Sequence, residues 1–378
     1  MPCSITVARA LRLASAMLLA SVSCVLHAQP AEQPMAAGGS EAPAPTIALI
    51  LPAQQSVFAE AAEAVRLGFF AANEASARKL TIQVLEVDDD APALQSAVVN
   101  AQQRGVKTIV GPLLRSGVNA VIDGGYATVP MVALNFPDRD AAAPRSMIAL
   151  GLSAEAEAQY AVRIALAEFV GTRRSIGSSP RFVVLAGPSA LERRIAQAFV
   201  TALRAAGETP LQIDAASESG DRIARQLDPN KHDAVFLALD AGGAAMLRAR
   251  IPRPILIFGT SLLNATTGTS SPEAVALAND LDGVRFVDMP WLLQPGVSLG
   301  ANGPLPAKPM SPELARLYAL GVDAYRVAQR WTVGETQFAL DGMMGRLRVD
   351  RSAGPRAERT PVAAIYRNGT IEREEVGR

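Results

Sequence analysis

A chain of 378 residues and 39.6 kDa is long enough for roughly two to three domains at about 150 residues each. Its 36 Lys+Arg balance 36 Asp+Glu, which excludes the net positive field that nucleic acids or an anionic membrane surface select. With charged residues at 19% and apolar residues at 49%, the composition is that of an Ala-rich globule and not of a disordered chain.

Met1 to Arg12 carries Arg9 and Arg12 and no acid, and Leu13 to Leu26 is uncharged and mostly apolar. That run is too short to span a bilayer comfortably, so residues 1–28 are expected to be a secretory signal peptide. Two processing routes are open. Leu26-His27-Ala28 fits cleavage after Ala28; alternatively a lipoprotein peptidase cuts before Cys24, which is then acylated and tethers the protein to a membrane. Both routes lead outside the cytoplasmic membrane, the second with a lipid tether to a membrane. Cleavage after Ala28 removes Cys3, Cys24 and His27 and leaves His232 as the lone histidine. A disulfide framework, a Cys/His zinc set and a Cys nucleophile are thereby excluded. Residues 29–45 are Pro, Ala, Gly, Glu and Gln with little to bury, a disordered tether.

Order is expected from Thr46. Ile47 to Leu51 is a continuous apolar run closed by Pro52, the pattern of a strand buried on both faces. Phe58, Ala62, Val65, Phe69 and Ala72 then recur at helical spacing. Leu80 to Val87 reads as a strand; Asp90 caps a helix with Pro92 in its first turn reaching about Arg104; Thr108 to Val110 is a strand, Leu113 to Ile122 a helix, Val129 to Leu134 a strand. A second set opens with Ser153 capping a helix that has Glu155 and Glu157 in its first turn and Tyr160 and Ile164 on its buried stripe. Strands at Phe182–Leu185, Leu211–Asp214, Ala234–Leu239 and Ile255–Phe258 alternate with helices at Leu191–Ala206 and Arg222–Leu227. Such alternation implies right-handed crossovers and a parallel sheet, here in two doubly wound lobes, 46–150 and 151–261. Beyond them, Gly283–Asp288 is strand-like, Ser311-Pro312-Glu313 starts a long helix, and Leu347–Val349 and Ala363–Tyr366 read as a final pair of strands. Residues 264–282 and 294–310 read as surface connections.

No Gly-x-Ser-x-Gly, Gly-x-x-x-x-Gly-Lys, Gly-x-Gly-x-x-Gly or His-Glu-x-x-His motif occurs. His232, beside Asn230, Lys231 and Asp233, reads as a solvated loop residue. Asp88-Asp89-Asp90 closes a strand and opens a helix, where capping accounts for an acid without a metal. No metal, cofactor or catalytic set is expected. Ligands of open parallel sheets meet the carboxyl ends of the strands, so the loops there supply the candidates: Gln54, Ser56, Arg115, Ser116, Asn135, Ser189, Asp240 and Ser261. Such side chains suit a small polar ligand held by hydrogen bonds and helix N-terminal amides, with Arg115 clamping a carboxylate or a partner's acid. The same serines equally serve as N-caps and turns. Trp291, at a strand end in Asp288-Met289-Pro290-Trp291, either anchors a partner, closes the cleft or packs in the core. Asp323 and Arg326 have the spacing of an intrahelical ion pair.

The order of these pieces from residue 46 to about 370 resembles the type I periplasmic-binding-protein (Venus-flytrap) fold. Four segments more specifically resemble the penicillin-binding-protein activator family, the LppC-type lipoproteins. They are Gly111-Pro112-Leu113-Leu114-Arg115, Val129 to Asn135, Arg285 to Leu293, and Arg316 to Arg326. Asp341-Gly342, Gly345-Arg346-Leu347 and Tyr366-Arg367-Asn368-Gly369 extend the match. The resemblance implies an α/β clamshell whose first lobe is completed by about 262–340 and its second by about 341–378. It also implies a non-enzymatic periplasmic regulator, held at the outer membrane, with a penicillin-binding protein, a peptidoglycan synthase, as partner. The alternative is a solute-binding receptor presenting an amino acid or similar ligand to an ABC transporter.

Overall fold

The computed structural model describes residues 46–88, 90–173, 181–264, 271–293 and 303–374. The expected signal peptide, the tether, Cys24 and Asp89 lie outside them.

The apolar run Ile47–Pro52 is β1, buried at every residue and parallel to β2 (Ile82–Val87) and β3 (Thr108–Val110). With β4 (Met131–Ala133) and β5 (Met147–Ala149) the order is β2-β1-β3-β4-β5, all parallel. Helices α1 (Ala59–Ala75), α2 (Ala91–Gln103) and α3 (Arg115–Asp123) connect the strands. Asp90 caps α2 by accepting from Ala93 N at 2.7 Å. Phe58 does not join the buried stripe of α1: the Ser56 hydroxyl accepts from its N–H at 3.1 Å, and the helix starts one residue later with Phe58 41% exposed. Strand β5, three residues long, was not expected.

The second sheet is built from β6 (Phe182–Ala186), β7 (Leu211–Asp214), β8 (Ala234–Ala238), β9 (Leu256–Gly259), β10 (Val284–Asp288), β14 (Val362–Arg367) and β15 (Thr370–Glu374). Its order is β15-β14-β10-β9-β8-β6-β7, with β14 and β15 antiparallel. Its helices are α4 (Ala154–Arg173), α5 (Ala190–Ala205), α6 (Gly220–Gln226), α7 (Ala241–Arg248) and α8 (Pro272–Asp280). Both sheets carry an apolar cluster on each face, as doubly wound sheets require.

Three expectations are corrected here. Residues 264–282 are not all connection, because Ser271 accepts from Ala274 N and Pro272 at the first helical position starts α8. Residues 262–340 do not all complete the first lobe: β10 pairs with β9 in the second sheet. The segments around Leu347 and Ala363 are not a pair. β12 (Gly345–Asp350) pairs with β11 (Gln337–Gly342) and β13 (Glu358–Thr360) in a third, small sheet, whereas β14 joins β10. Alternation turns Leu347 and Val349 of β12 into the first sheet's core, with Arg346 and Arg348 outward.

The chain therefore passes between the two sheet cores three times: from β5 to α4, from β10 to α10 (Pro312–Thr332), and from β13 to β14. α10 lies on α1, and the two backbones nearly touch. A Cβ on Gly68 would stand 2.0 Å from Tyr318 O, and one on Gly321 2.1 Å from Val65 O.

Candidate functional site

The sequence-predicted residues are placed separately. Gln54 is exposed and donates to Glu86 Oε1 at 3.3 Å; Ser56 holds the turn before α1. Arg115 opens α3, half exposed, with Nη1 3.8 Å from Asp138 Oδ1. Ser116 beside it lines a mainly apolar pocket of about 180 Å³ formed by the ends of β1, β2 and β3. Asn135 spans two loops, donating to Leu113 O at 3.1 Å and accepting from Phe136 N at 2.9 Å. Ser189 and Asp240 meet through Glu192. Ser189 accepts from Glu192 N at 3.1 Å in a reciprocal capping box at α5, while the Glu192 carboxylate also accepts from Asp240 N at 3.0 Å. Asp240 in turn caps α7 from Gly243 N at 2.7 Å. Ser189→Ala is expected to cost about 1 kcal/mol of stability, read by urea unfolding, because it removes one half of the capping box. His232 is half-buried, not solvated, and burial pushes its imidazole below the ordinary value. Trp291 is a core residue, 7% exposed, with its ring centroid 6.2 Å from that of Tyr318. Among the described residues no group of three His, Cys, Asp or Glu is placed to hold a metal ion.

A groove of about 510 Å³ runs between the first turns of α4 and strand β13, and sequence reasoning missed it. Ser153 caps α4 at its end, accepting from Ala156 N at 3.0 Å. Glu155 is held there by Arg194 at 2.7 Å. Burial pushes the Glu155 carboxyl up, but its own backbone N–H, the Ser153 hydroxyl and Arg194 outweigh burial and keep it below the ordinary range, hence ionised. On the other wall Arg356 lies over the Phe136 ring, 4.6 Å from its centroid, and bonds Asp140 at 2.6 Å. Arg163 is exposed over the Tyr160 ring at 5.0 Å and makes no ion pair among the described residues. The groove thus has on one wall Arg163, a guanidinium without an ion pair among the described residues, and on the other the Phe136 ring under Arg356, an arrangement that accepts an acidic group with an apolar body. Its lining comes from residues 136–163 and 356–360, with no motif to announce it.

Below the groove lies a buried polar joint. Asp288, 0% exposed and the last residue of β10, accepts from Met289 N at 2.7 Å and from Asn264 Nδ2 at 2.8 Å. It also takes the fork of Arg316, Nε at 3.2 Å and Nη2 at 2.7 Å. Arg316 Nη2 also donates to Ser261 O at 3.0 Å, while Ser261 N donates to Glu157 Oε2 at 3.1 Å. The other Glu157 oxygen takes Arg359 of β13, both side chains being 7% exposed. Burial lowers the Arg316 affinity for its proton, but Asp288 outweighs it, and the guanidinium is held above its ordinary value.

The segments that carried the family resemblance turn out to be the two sides of such joints. Gly111–Arg115 meets Val129–Asn135 through the Asn135–Leu113 bond, and Arg285–Leu293 meets the long helix through Asp288–Arg316. That helix meets the Asp341–Leu347 turn through Asp323, whose two oxygens accept from Met343 N at 3.0 Å and Met344 N at 2.8 Å. The "LppC putative lipoprotein" family profile matches residues 39–230 and 216–369. The chain belongs to the LppC family. Among its curated relatives, the penicillin-binding protein activator LpoA of Haemophilus ducreyi is 23% identical over 82% of this chain and 51% of its own. LpoA of Vibrio cholerae is 25% identical over 80% and 54%. The chain spans about half the length of the curated relatives it matches. Among solved structures, a Chromobacterium violaceum protein described as a "putative branched-chain amino acid ABC transporter" is 32% identical with a TM-score of 0.67, covering 84% of this chain and 99% of that one. The C-domain of Haemophilus influenzae LpoA, described as a regulator of PBP1A, covers 87% and 99% with a TM-score of 0.65 at 21% identity. These likenesses show the α/β fold of type I periplasmic binding proteins with its parallel sheets.

In this LppC chain Asp323 is more than the expected ion-pair partner of Arg326, 3.6 Å away: its carboxylate clamps the β11–β12 turn. Burial pushes its carboxyl up to about 6 from the ordinary 3.8, against the pull of the two backbone N–H groups and of Arg326. A value above that of the unfolded chain means that the folded state binds this proton more tightly. The stability so contributed is full below the unfolded value and is lost as pH rises through about 6. Relative to Asp323→Asn, which does not titrate, the wild type is expected to gain stability when urea unfolding is repeated at about pH 4 instead of about pH 7. A difference that stays constant across that range would contradict the assignment.

Proposed function

We propose that this protein is a periplasmic, non-enzymatic regulator that acts on a penicillin-binding protein, and that Cys24 is its site of acylation for anchoring at the outer membrane. The observation that carries the reading is family membership, with relatives named penicillin-binding protein activators aligned over 77–82% of the chain. The groove supports binding over catalysis. Its acids are engaged, Glu155 by Arg194 and Glu358 by Arg348 at 3.6 Å, and the carboxyl raised to about 6, Asp323, is wholly buried. A general acid must reach its substrate. Arg163 is the contact for an acidic segment of the partner, charge-assisted bonds to a guanidinium being the strong ones.

The test is to measure glycan polymerisation and cross-linking by a penicillin-binding protein of the same envelope with and without this protein. Stimulation is expected, and Arg163→Glu is expected to weaken it about tenfold or more, since one charge-assisted bond of about 1.5–3 kcal/mol is replaced by repulsion. Because Arg163 is exposed, its Tm should stay unchanged. The 32% identity to the Chromobacterium protein favours a second reading, a solute receptor. That reading requires a free amino acid to raise Tm, a ligand of the folded state adding RT ln(1 + [L]/Kd) to stability. Strong stabilisation by an amino acid with no effect on the synthase would decide for it.

A further inference from the structure

We infer that the two sheet-centred halves are latched into one rigid body at their crossovers by Arg316–Asp288 and Arg359–Glu157, joined through the backbone of Ser261.

Each arginine comes from elements packed in the first core, α10 and the small sheet, and each acid from the second half, β10 and α4. Ser261, just after β9, bonds both pairs, through its N–H to Glu157 and its carbonyl to Arg316. Every oxygen of the two acids has a donor, and no side chain of the four is more than 13% exposed. A hinge rotation that parted these groups before water entered would leave four charges unpaired in a dry interior, which is costly. Full separation would exchange the bonds for hydration, which roughly balances. The joint therefore gives a narrow well and a barrier more than a large net stabilisation, the condition for one fixed angle.

The described ends of the crossovers are packed or bonded. The segment after β10, α9 (Pro290–Leu293), sits with Trp291 and Leu292 in the first core and Leu293 in the second. On the first-core side, the chain is bonded to itself just before the first and third crossovers, Ala149 N at the end of β5 to Pro355 O at 2.7 Å and Ala357 N to Ala149 O at 2.9 Å, so both straps leave from neighbouring fixed points. A receptor that closes on a solute needs at least one compliant strap. Here the described ends of the straps are fixed, by the Ala149 bonds and by the two ion pairs, and the groove between α4 and β13 keeps one width. The consequence, a fixed composite surface shown to a synthase, rests on the regulatory reading; the rigidity does not.

The test is pulsed EPR distance measurement on the full chain with Cys3→Ser and Cys24→Ser, spin-labelled at Leu67→Cys on α1 and Met246→Cys on α7, positions 43% and 72% exposed. One narrow distance distribution is expected, unchanged by saturating leucine, glutamate or lysine. Arg316→Gln with Arg359→Gln is expected to broaden it or add a second population. If that double variant does not fold, Arg316→Lys, which keeps the charge and loses the fork, is expected to broaden it partly. Two populations in the unaltered latch, a shift on adding an amino acid, or a folded latch variant with the original narrow distribution would each overturn the inference. Synthase stimulation alongside a mobile hinge would sink the latch alone; a rigid body without stimulation would sink the regulatory reading alone.

Discussion

Asp288→Ala is expected to lower the free energy of unfolding by about 3–5 kcal/mol, the cost of breaking a buried ion pair from one side. The carboxylate is 0% exposed and accepts from Met289 N, Asn264 and both arms of Arg316. Its removal strands a guanidinium whose side chain is only 13% exposed. Equilibrium urea unfolding followed by the fluorescence of Trp291 and Trp331, both in the first core, reads the loss. Asp288→Leu with Arg316→Met removes both charges and is expected to recover part of it, because the pair's own net worth is small once neither ion is left alone. Recovery should stay incomplete, since Asn264 Nδ2 and Met289 N lose their acceptor. A single variant that costs under about 1 kcal/mol would mean that water reaches this joint in solution.

The second large effect is expected at Gly321→Ala. On helix propensity alone the change stabilises by about 1 kcal/mol. Packing reverses the sign. The new Cβ would lie 2.1 Å from Val65 O and 2.9 Å from Phe69 N, both main-chain atoms of α1 that no rotamer change can move aside. Overpacking of this kind costs about 1–3 kcal/mol or more, so a net loss of stability is expected in the same assay. Gly68→Ala, 2.0 Å from Tyr318 O, should behave alike. Gly242 in α7, whose Cβ would meet nothing nearer than 3.7 Å, is the control, and Gly242→Ala should stabilise by up to about 1 kcal/mol. A stabilised Gly321→Ala would show that α1 and α10 are not in contact at this crossing.

Elements with a strong period or a cap were legible before the fold was known. Ile47–Leu51, Thr108–Val110 and Leu211–Asp214 are strands as read, and Asp90, Ser153, Ser189 and Ser311 cap the helices expected after them. Short elements escaped. β5 is three residues and α8 is mostly alanine and polar side chains, too little pattern for a period to show. The terminal strands were found but mispaired, because alternation names a strand and not its neighbour: Leu347 belongs beside Leu340 and Arg359, Ala363 beside Val287.

The candidate site was less legible. The loops after parallel strands were the right places to look under the rule for open sheets, and the structure spends several of them on its own backbone, with Ser189 and Asp240 as caps and Asn135 as a bridge. Arg163, Arg356 and Arg359 carried no signal, since isolated arginines read as solvated charges until a second wall faces them.

What the amino-acid order determined by itself was local and periodic: which runs are apolar on both faces and where a cap or proline starts a helix. Only the tertiary structure decided which acid each arginine meets, that α10 and β12 belong to the first core while β10 and β14 belong to the second, and where a groove opens. The physical reason is range. Backbone propensity and side-chain period act within a few residues, whereas a buried charge is satisfied by whatever the packing brings within about 3 Å, here from β13 to α4 and from α10 to β10.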